Sequence, residues 1–385
     1  MQGYVRVRVP SGEAYVIKSS QDRLARANSI VFDCDGVLID ATQSYNKAIA
    51  DSSAYLLSAF LGKKFPSSTI TEDVIFAFRR TGGFNNDWNA TYSIVIFVMS
   101  SMPERFLNAY RGIFAKASKD EPDDPYSRLK LAKKMVAQEG IKIEFEQKTM
   151  IKKIIEFAGM LDTRGIESAE ETVLKGSSRS ARMIKSLKKF LRYPGDVRIS
   201  IITSVFDEHF YGRELFKKVH GIDGRLGFER GAIQNEKIIV DRVTLDRLSE
   251  LFGDSLGIAT GRGSIGTLFT LRDIKEYLNT DAMVFLEDMD PKILEEKKYG
   301  KPEPYALLKA SERFDGESVV YVGDSAEDLI MARKASKAGR DFVFAAVRGK
   351  DSLSEKRLDL FVKEKADVIV RSVNDLPFIF KRFRN

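Results

Sequence analysis

Six short apolar runs punctuate the chain at residues 29–33, 256–260, 283–286, 318–323, 342–347 and 367–370. They are rich in Val, Ile and Phe and show little polar alternation, which is the pattern of strands buried on both faces. From 256 onward they alternate with helical periodicity over 265–278, 304–314 and 326–337. Strand and helix in alternation predict an α/β fold, a Rossmann-like parallel sheet with helices on both faces. Residues 1–20 differ: they alternate apolar and polar positions around Pro10-Ser11-Gly12, which predicts a hairpin.

Between the first run and the rest the texture is mainly helical. Tyr45, Ile49, Tyr55, Leu56 and Phe60 recur at helical spacing before Gly62, and Leu129, Leu131, Met135 and Val136 do so after Asp123-Asp124-Pro125. Residues 178–193 read as another helix, closed by Pro194-Gly195, while 197–202 is a strand-like interruption. The predicted organisation is a core made of 1–41 and 253–385, with 42–252 inserted as a mostly α-helical domain. The longest apolar run in the insertion, 92–99, falls far short of the roughly 18 to 20 residues of a membrane span.

Composition narrows the class. With 385 residues, 43% of them apolar, the chain can bury a substantial core, so disordered and fibrous classes are excluded. The single Cys34 cannot form an intrachain disulfide, and the N-terminus lacks the continuous apolar stretch of a signal peptide; the expected location is cytoplasmic. A net charge of +7 is diluted among charges of both signs, so neither nucleic acid nor a membrane is an expected partner. Oligomeric state is not legible.

In an open parallel sheet, ligands bind beyond the carboxyl ends of the strands. Three runs end in chemistry-bearing residues: Asp33-Cys34-Asp35-Gly36, Thr260-Gly261-Arg262 and Gly323-Asp324-Ser325-Ala326-Glu327-Asp328. A fourth segment, Gly300-Lys301-Pro302, precedes a helical pattern. Together these four resemble the ordered motifs of the haloacid dehalogenase superfamily of hydrolases. The spacings of 41 residues from Thr260 to Lys301 and 23 from Lys301 to Asp324 suit that family. Thr203 or Ser204, after Ile201-Ile202, mimics the Thr signature and is the competing position. Asp35 separates the chain from the dehalogenase branch, which lacks this second acid.

The chemistry such a set supports is phosphoryl transfer. A carboxylate with an ordinary pKa of about 3.9 is already ionised at neutral pH, so Asp33 needs no base to act as nucleophile. Its difficulty is repulsion from a phosphate, on the order of 4 kcal/mol for two unit charges about 4 Å apart at an effective dielectric of about 20. The resemblance implies Mg²⁺ on Asp33, Asp35, Asp324 and Asp328, with phosphate oxygens bound by Thr260, Gly261, Arg262 and Lys301. It also implies an aspartyl phosphate on Asp33, with Asp35 protonating the leaving oxygen and then activating water. Asp328 doubles as a capping-box residue with Ser325, and Cys34 reads as a small space-filling residue.

The insertion resembles a C1-type cap of phosphoglycolate-phosphatase-like members, a lid that selects the substrate. Its segment Arg79, Arg80, Asn85, Asn86 and Trp88, with Gly82-Gly83, is the candidate for substrate contacts. Arg179, Arg182, Lys185, Lys188, Lys189 and Arg192 lay a basic stripe on one helix. The expected function is Mg²⁺-dependent hydrolysis of a small phosphorylated metabolite. A phosphomutase or phosphonatase on the same core, and a non-catalytic polyanion-binding protein, are the alternatives.

Overall fold

The computed structural model describes residues 3–84, 86–121, 123–288, 300–316 and 318–384. The chain forms two compact units, Met1–Ala41 with Glu236–Asn385, and Thr42–Asn235.

In the first unit, ten strands are defined: β1 Tyr4–Val9, β2 Gly12–Ile17, β3 Ser29–Phe32, β4 Ile39–Asp40, β5 Lys237–Ile238, β6 Leu256–Ala259, β7 Met283–Val284, β8 Ser318–Gly323, β9 Asp341–Val347 and β10 Val368–Val370. Eight of them make one sheet in the order β1-β2-β10-β9-β8-β3-β6-β7. The six from β10 to β7 run parallel, and the β1–β2 hairpin is added antiparallel at the β10 edge. The first parallel strand, β3, pairs with β8 on one side and β6 on the other, Ile30 lying opposite both Val320 and Leu256. The strand order therefore reverses at β3, and a crevice opens there beyond the carboxyl ends.

Burial on both faces explains the unbroken apolar runs. Val31, Tyr321 and Phe344 pack with Leu307, Leu329, Met331 and Phe361 from the helices Tyr305–Ser311, Ala326–Lys337 and Ser354–Lys363. The alternate residues Ile30, Phe32, Val320 and Val322 are fully buried as well. Helix Arg242–Phe252, which the sequence assigned to the insertion, belongs to this unit; Phe252 meets Phe380 of helix Leu376–Phe383 with ring centroids 4.8 Å apart. The boundary thus falls at Glu236, before the first residue of the predicted core segment, because a helix carries no sequence mark of which core receives its apolar face. A two-stranded ribbon, β4 with β5, pairs the chain's exit from this unit with its return.

The second unit is built from helices, among them Thr42–Leu61, Glu72–Arg79, Asp87–Ser100, Pro125–Gln138 and Ser178–Leu191. The strand-like run 197–202 is not a strand. Residues 197–199 form a turn, and Ser200 caps the helix Ile201–His220, its Oγ accepting from the Thr203 backbone N–H at 3.2 Å. A capping serine before Ile201-Ile202 overrides their β-propensity. The helix kinks at Gly212, φ 71°, where a Cβ would stand 2.5 Å from the Gly231 nitrogen. The basic helix buries Met183, Ile184, Leu187 and Phe190, and pairs Arg179 with Glu104, Lys188 with Glu170 and Arg192 with Asp123. Among the described residues no helix is long and apolar enough to cross a membrane.

One titratable group is enclosed in this unit's aromatic packing. His209 lies on Phe228 with ring centroids 4.0 Å apart and edge-on to Tyr55 at 5.7 Å. Burial pushes its pKa down to about 4, against a weaker opposing pull from Asp51. The folded state therefore holds fewer protons on His209 than the unfolded chain does, so the associated stability is present above about pH 6.5 and is lost as pH falls toward 4. The loss is on the order of 3 kcal/mol. In urea unfolding series at pH 7, 6, 5 and 4.5, His209→Phe is expected to flatten this part of the pH dependence; an unchanged slope would remove His209 as its source.

Candidate active site

The carboxyl ends of the three central strands deliver the candidate residues. Asp33 follows β3 and its backbone N–H donates to the Val322 carbonyl at 2.8 Å, extending the ladder by one residue. Thr260 follows β6, its N–H donating to the Val284 carbonyl at 3.1 Å. Asp324 follows β8. Asp328 sits one turn into the next helix and closes a capping box with Ser325, and its Oδ2 accepts from the backbone N–H of both Asp324 and Ser325.

The carboxylates of Asp33, Asp324 and Asp328 converge, with one oxygen from each lying within 4.8 Å of the others. Lys301 stands between two of them, its Nζ 2.7 Å from Asp33 Oδ1 and 2.7 Å from Asp328 Oδ1. Tyr321 Oη also donates to Asp328 Oδ1, at 2.7 Å. Gly36 makes the approach possible: φ is 73°, and a Cβ there would overlap the Asp324 carboxylate.

Burial governs the electrostatics. Asp33 is 5% exposed, and burial raises its pKa to about 7; Lys301 opposes this, and Asp328 and Asp35 reinforce it. Asp33 on its own is thus not the readily ionised carboxylate that an ordinary pKa implies. Asp324 is raised well above the carboxylate range by burial and then by Asp328 and Asp33. Asp328 goes the other way: burial would raise it, but Lys301 and the Ser325 and Tyr321 hydrogen bonds hold it low. Lys301 stays firmly protonated, since the two carboxylates outweigh its burial.

The residue types fit a divalent cation. Three carboxylates against one ammonium leave two negative charges uncompensated when all are ionised, and the oxygen-only donor set suits a hard ion such as Mg²⁺. Such an ion would relieve the repulsion that raises Asp33 and Asp324.

The other predicted residues fall differently. The Asp35 side chain is 41% exposed and is not in the acidic trio; its Oδ1 lies 2.6 Å from Arg262 Nη1. Arg262, expected at a phosphate, is 6% exposed and held between carboxylates, its Nη2 reaching Glu236 at 2.9 and 2.8 Å. Its backbone N–H donates to Thr260 Oγ1 at 3.3 Å across the exposed turn at Gly261. Thr203 and Ser204 lie inside a helix of the second unit, donating to the Gly195 and Val197 carbonyls, so only Thr260 occupies a strand end.

In the second unit, Asn85 lies outside the described residues. Arg79 ends a helix and pairs with Asp87 at 3.1 Å, Arg80 follows as its C-cap, and Asn86 caps the helix that contains Trp88. Trp88 is half-buried, donating Nε1 to the buried Asp207 at 2.7 Å and meeting Phe206 edge-on. The loop is therefore shorter than the sequence suggested, and three of its polar residues are engaged in local structure.

Glu236 is the residue that sequence reasoning missed. Its side chain is fully buried against Arg262 and also accepts from Thr270 Oγ1 at 2.5 Å. Nothing in Gln234-Asn235-Glu236-Lys237 forms a motif; the only signal was a lone acid beside the apolar run 238–240.

Residues 170–336 match the model of the haloacid dehalogenase-like hydrolase family. The match takes in Thr260, Lys301, Asp324 and Asp328, while Asp33 and Asp35 precede it. Over that segment the chain is similar to haloacid dehalogenase-like hydrolases, and the parallel sheet with acids at its strand ends agrees with the match. A search of curated protein sequences finds no match. By fold the chain is similar to a crystal structure of a Northeast Structural Genomics Consortium target, with TM-score 0.64 and 18% identity over 92% of this chain and 98% of that one. It is also similar to the phosphatase Tt82 from Thermococcus thioreducens, with TM-score 0.51 and 21% identity over 90% and 96% of the two chains.

The buried Arg262–Glu236 pair yields a stability test. Glu236→Leu would remove the buried carboxylate that faces the Arg262 guanidinium, at an expected cost of about 3 to 5 kcal/mol in urea unfolding. The double variant Glu236→Leu/Arg262→Met is expected to recover most of that loss. A single variant as stable as the parent would show that the pair is not coupled to the fold.

Proposed function

We propose that the chain is a Mg²⁺-dependent phosphatase acting on a small phosphorylated metabolite in the cytoplasm. The observation that carries the reading is the meeting of Asp33, Asp324 and Asp328 with Lys301 in one buried site beyond the strand crossover. The printed name of the Thermococcus neighbour agrees with it.

Asp33, Asp324 and Asp328 are the residues that would hold the ion, which supplies positive charge against the developing phosphoryl charge. Lys301 lies against Asp33 and offers its ammonium to an oxygen of the transferring group. Thr260, buried at the end of β6, offers a hydroxyl to another. An Asp33 carboxylate oxygen attacks phosphorus, forming the acyl phosphate bond as the ester bond breaks, and the leaving oxygen takes its proton from Asp35. Water then passes a proton back to Asp35 and attacks phosphorus, which frees inorganic phosphate and restores Asp33. Asp35 suits this exchange because its side chain is exposed enough to meet a leaving group and is oriented by Arg262.

The unit Thr42–Asn235 is proposed to act as a C1-type cap of the phosphoglycolate-phosphatase-like kind, with substrate selection among its roles. A mutase or phosphonatase would use the same core without, or with different, phosphate release, and no observation favours either.

Phosphate release from p-nitrophenyl phosphate and from a panel of sugar phosphates is expected to require Mg²⁺ and to stop on chelation. Asp33→Asn is expected to lower turnover by about a thousandfold or more with the circular dichroism spectrum unchanged. Near-normal turnover by that variant, or activity indifferent to chelator, would defeat the assignment. Gly36→Ala is expected to weaken Mg²⁺ activation, since its methyl displaces the Asp324 carboxylate. An unchanged Mg²⁺ dependence would remove Asp324 from the ion's ligands.

A further inference from the structure

Outside the acidic site, the inserted unit carries an open cleft of about 680 Å³, within the usual range for small-molecule sites. One wall is aromatic. Tyr55 and Phe228 stand edge to face at 5.9 Å, with His209 packed against both. The His209 Nε2 is buried with no hydrogen-bond partner among the described residues, and a buried polar atom left unpaired asks for a partner.

The rim is cationic. Lys47 is answered by Asp51 at 2.7 Å, but Lys64, Lys133 and Arg230 also line the cavity, and none of the three has an ion pair among the described residues. All three are exposed, from the turn after the first long helix, from helix Pro125–Gln138 and from the loop beyond the kinked helix. Convergence of three unpaired cations from three separate segments beside an aromatic wall is not what solvated surface charge produces, since such charges alternate in sign and pair locally.

We infer that this cavity binds an organic anion of nucleoside monophosphate size, its planar ring against Tyr55 and Phe228 and its anionic group among Lys64, Lys133 and Arg230. The aromatic wall supplies ring contact, and Ser58, Gln234 and Asn235 of the lining supply polar groups for a ring or sugar atom. A bare phosphate satisfies only the rim, and a neutral nucleoside only the wall. The site shares no residue with the acidic trio, so the inference stands apart from the proposed catalysis.

Titration calorimetry on the full chain in EDTA tests it, with AMP, adenosine, ribose 5-phosphate and inorganic phosphate as probes. AMP is expected to bind one per chain, with adenosine and ribose 5-phosphate each about tenfold weaker or more. Lys64→Gln/Arg230→Gln and, separately, Phe228→Leu are each expected to weaken AMP about tenfold or more, with the melting temperature checked for both. Absence of AMP binding overturns the inference, as does ribose 5-phosphate binding as tightly as AMP. AMP binding that survives both variants but disappears in Asp33→Asn also overturns it, placing the ligand at the catalytic acids and leaving the proposed phosphatase reading intact.

Discussion

Repulsion among three carboxylates is the constraint around which the first unit is arranged. Asp33, Asp324 and Asp328 are brought to within 4.8 Å, the first and last buried and Asp324 half-buried, where water screens them poorly, and each unit charge buried without compensation carries a penalty of several kcal/mol. Lys301 compensates one charge by touching Asp33 and Asp328 together. Tyr321, Ser325 and two backbone N–H groups settle Asp328 further. That leaves Asp33 and Asp324 as the groups whose carboxyls burial drives upward. The arrangement is thus complete on one side and short of positive charge on the other, which is a chemical description of a cation site.

The same constraint explains features of the fold that look independent. The reversal of strand order at β3 sets the residues that leave β3 and β8, Asp33 and Asp324, side by side. Gly36 takes a left-handed conformation because any side chain there would push the Asp324 carboxylate away. Gly323 likewise leaves room for Asp328: a Cβ there would stand 2.4 Å from the Asp328 Cβ and force Asp328 out of its capping box. Each of these is a local choice that a packed sheet alone would not require.

Much of this was legible in the sequence because buried parallel strands and their terminal acids are written locally. Val31-Phe32-Asp33 and Tyr321-Val322-Gly323-Asp324 each state both a strand and the residue that leaves it. What could not be read depends on which core receives a surface. Helix Arg242–Phe252 has an apolar side that fits either unit, and only the packing of Phe252 on Phe380 decides it. Ile201-Ile202 read as strand because two β-branched residues outweigh a serine in a short window, although Ser200 caps a helix of 20 residues. Trp88 read as a loop residue beside Gly82-Gly83, yet Asn86 begins a helix before it and Asp207, far away in sequence, takes its N–H.

Arg262 shows most clearly how a motif position and a physical role can part. Its place after Thr260-Gly261 suggested a phosphate ligand, but a guanidinium with both Nη atoms committed to carboxylates has little left to offer an anion. What it does offer is orientation. Asp35 is tied through Arg262 to Glu236, and Glu236 is the residue at which the chain returns from the insertion into the first unit. The exit strand β4 and the return strand β5 pair just beyond, so the backbone at both ends of the insertion is fixed within a few residues of that network. Asp35 is therefore held, through Arg262, by the residue at which the first unit resumes, so buried charge and the β4–β5 pair fix this corner of the first unit together.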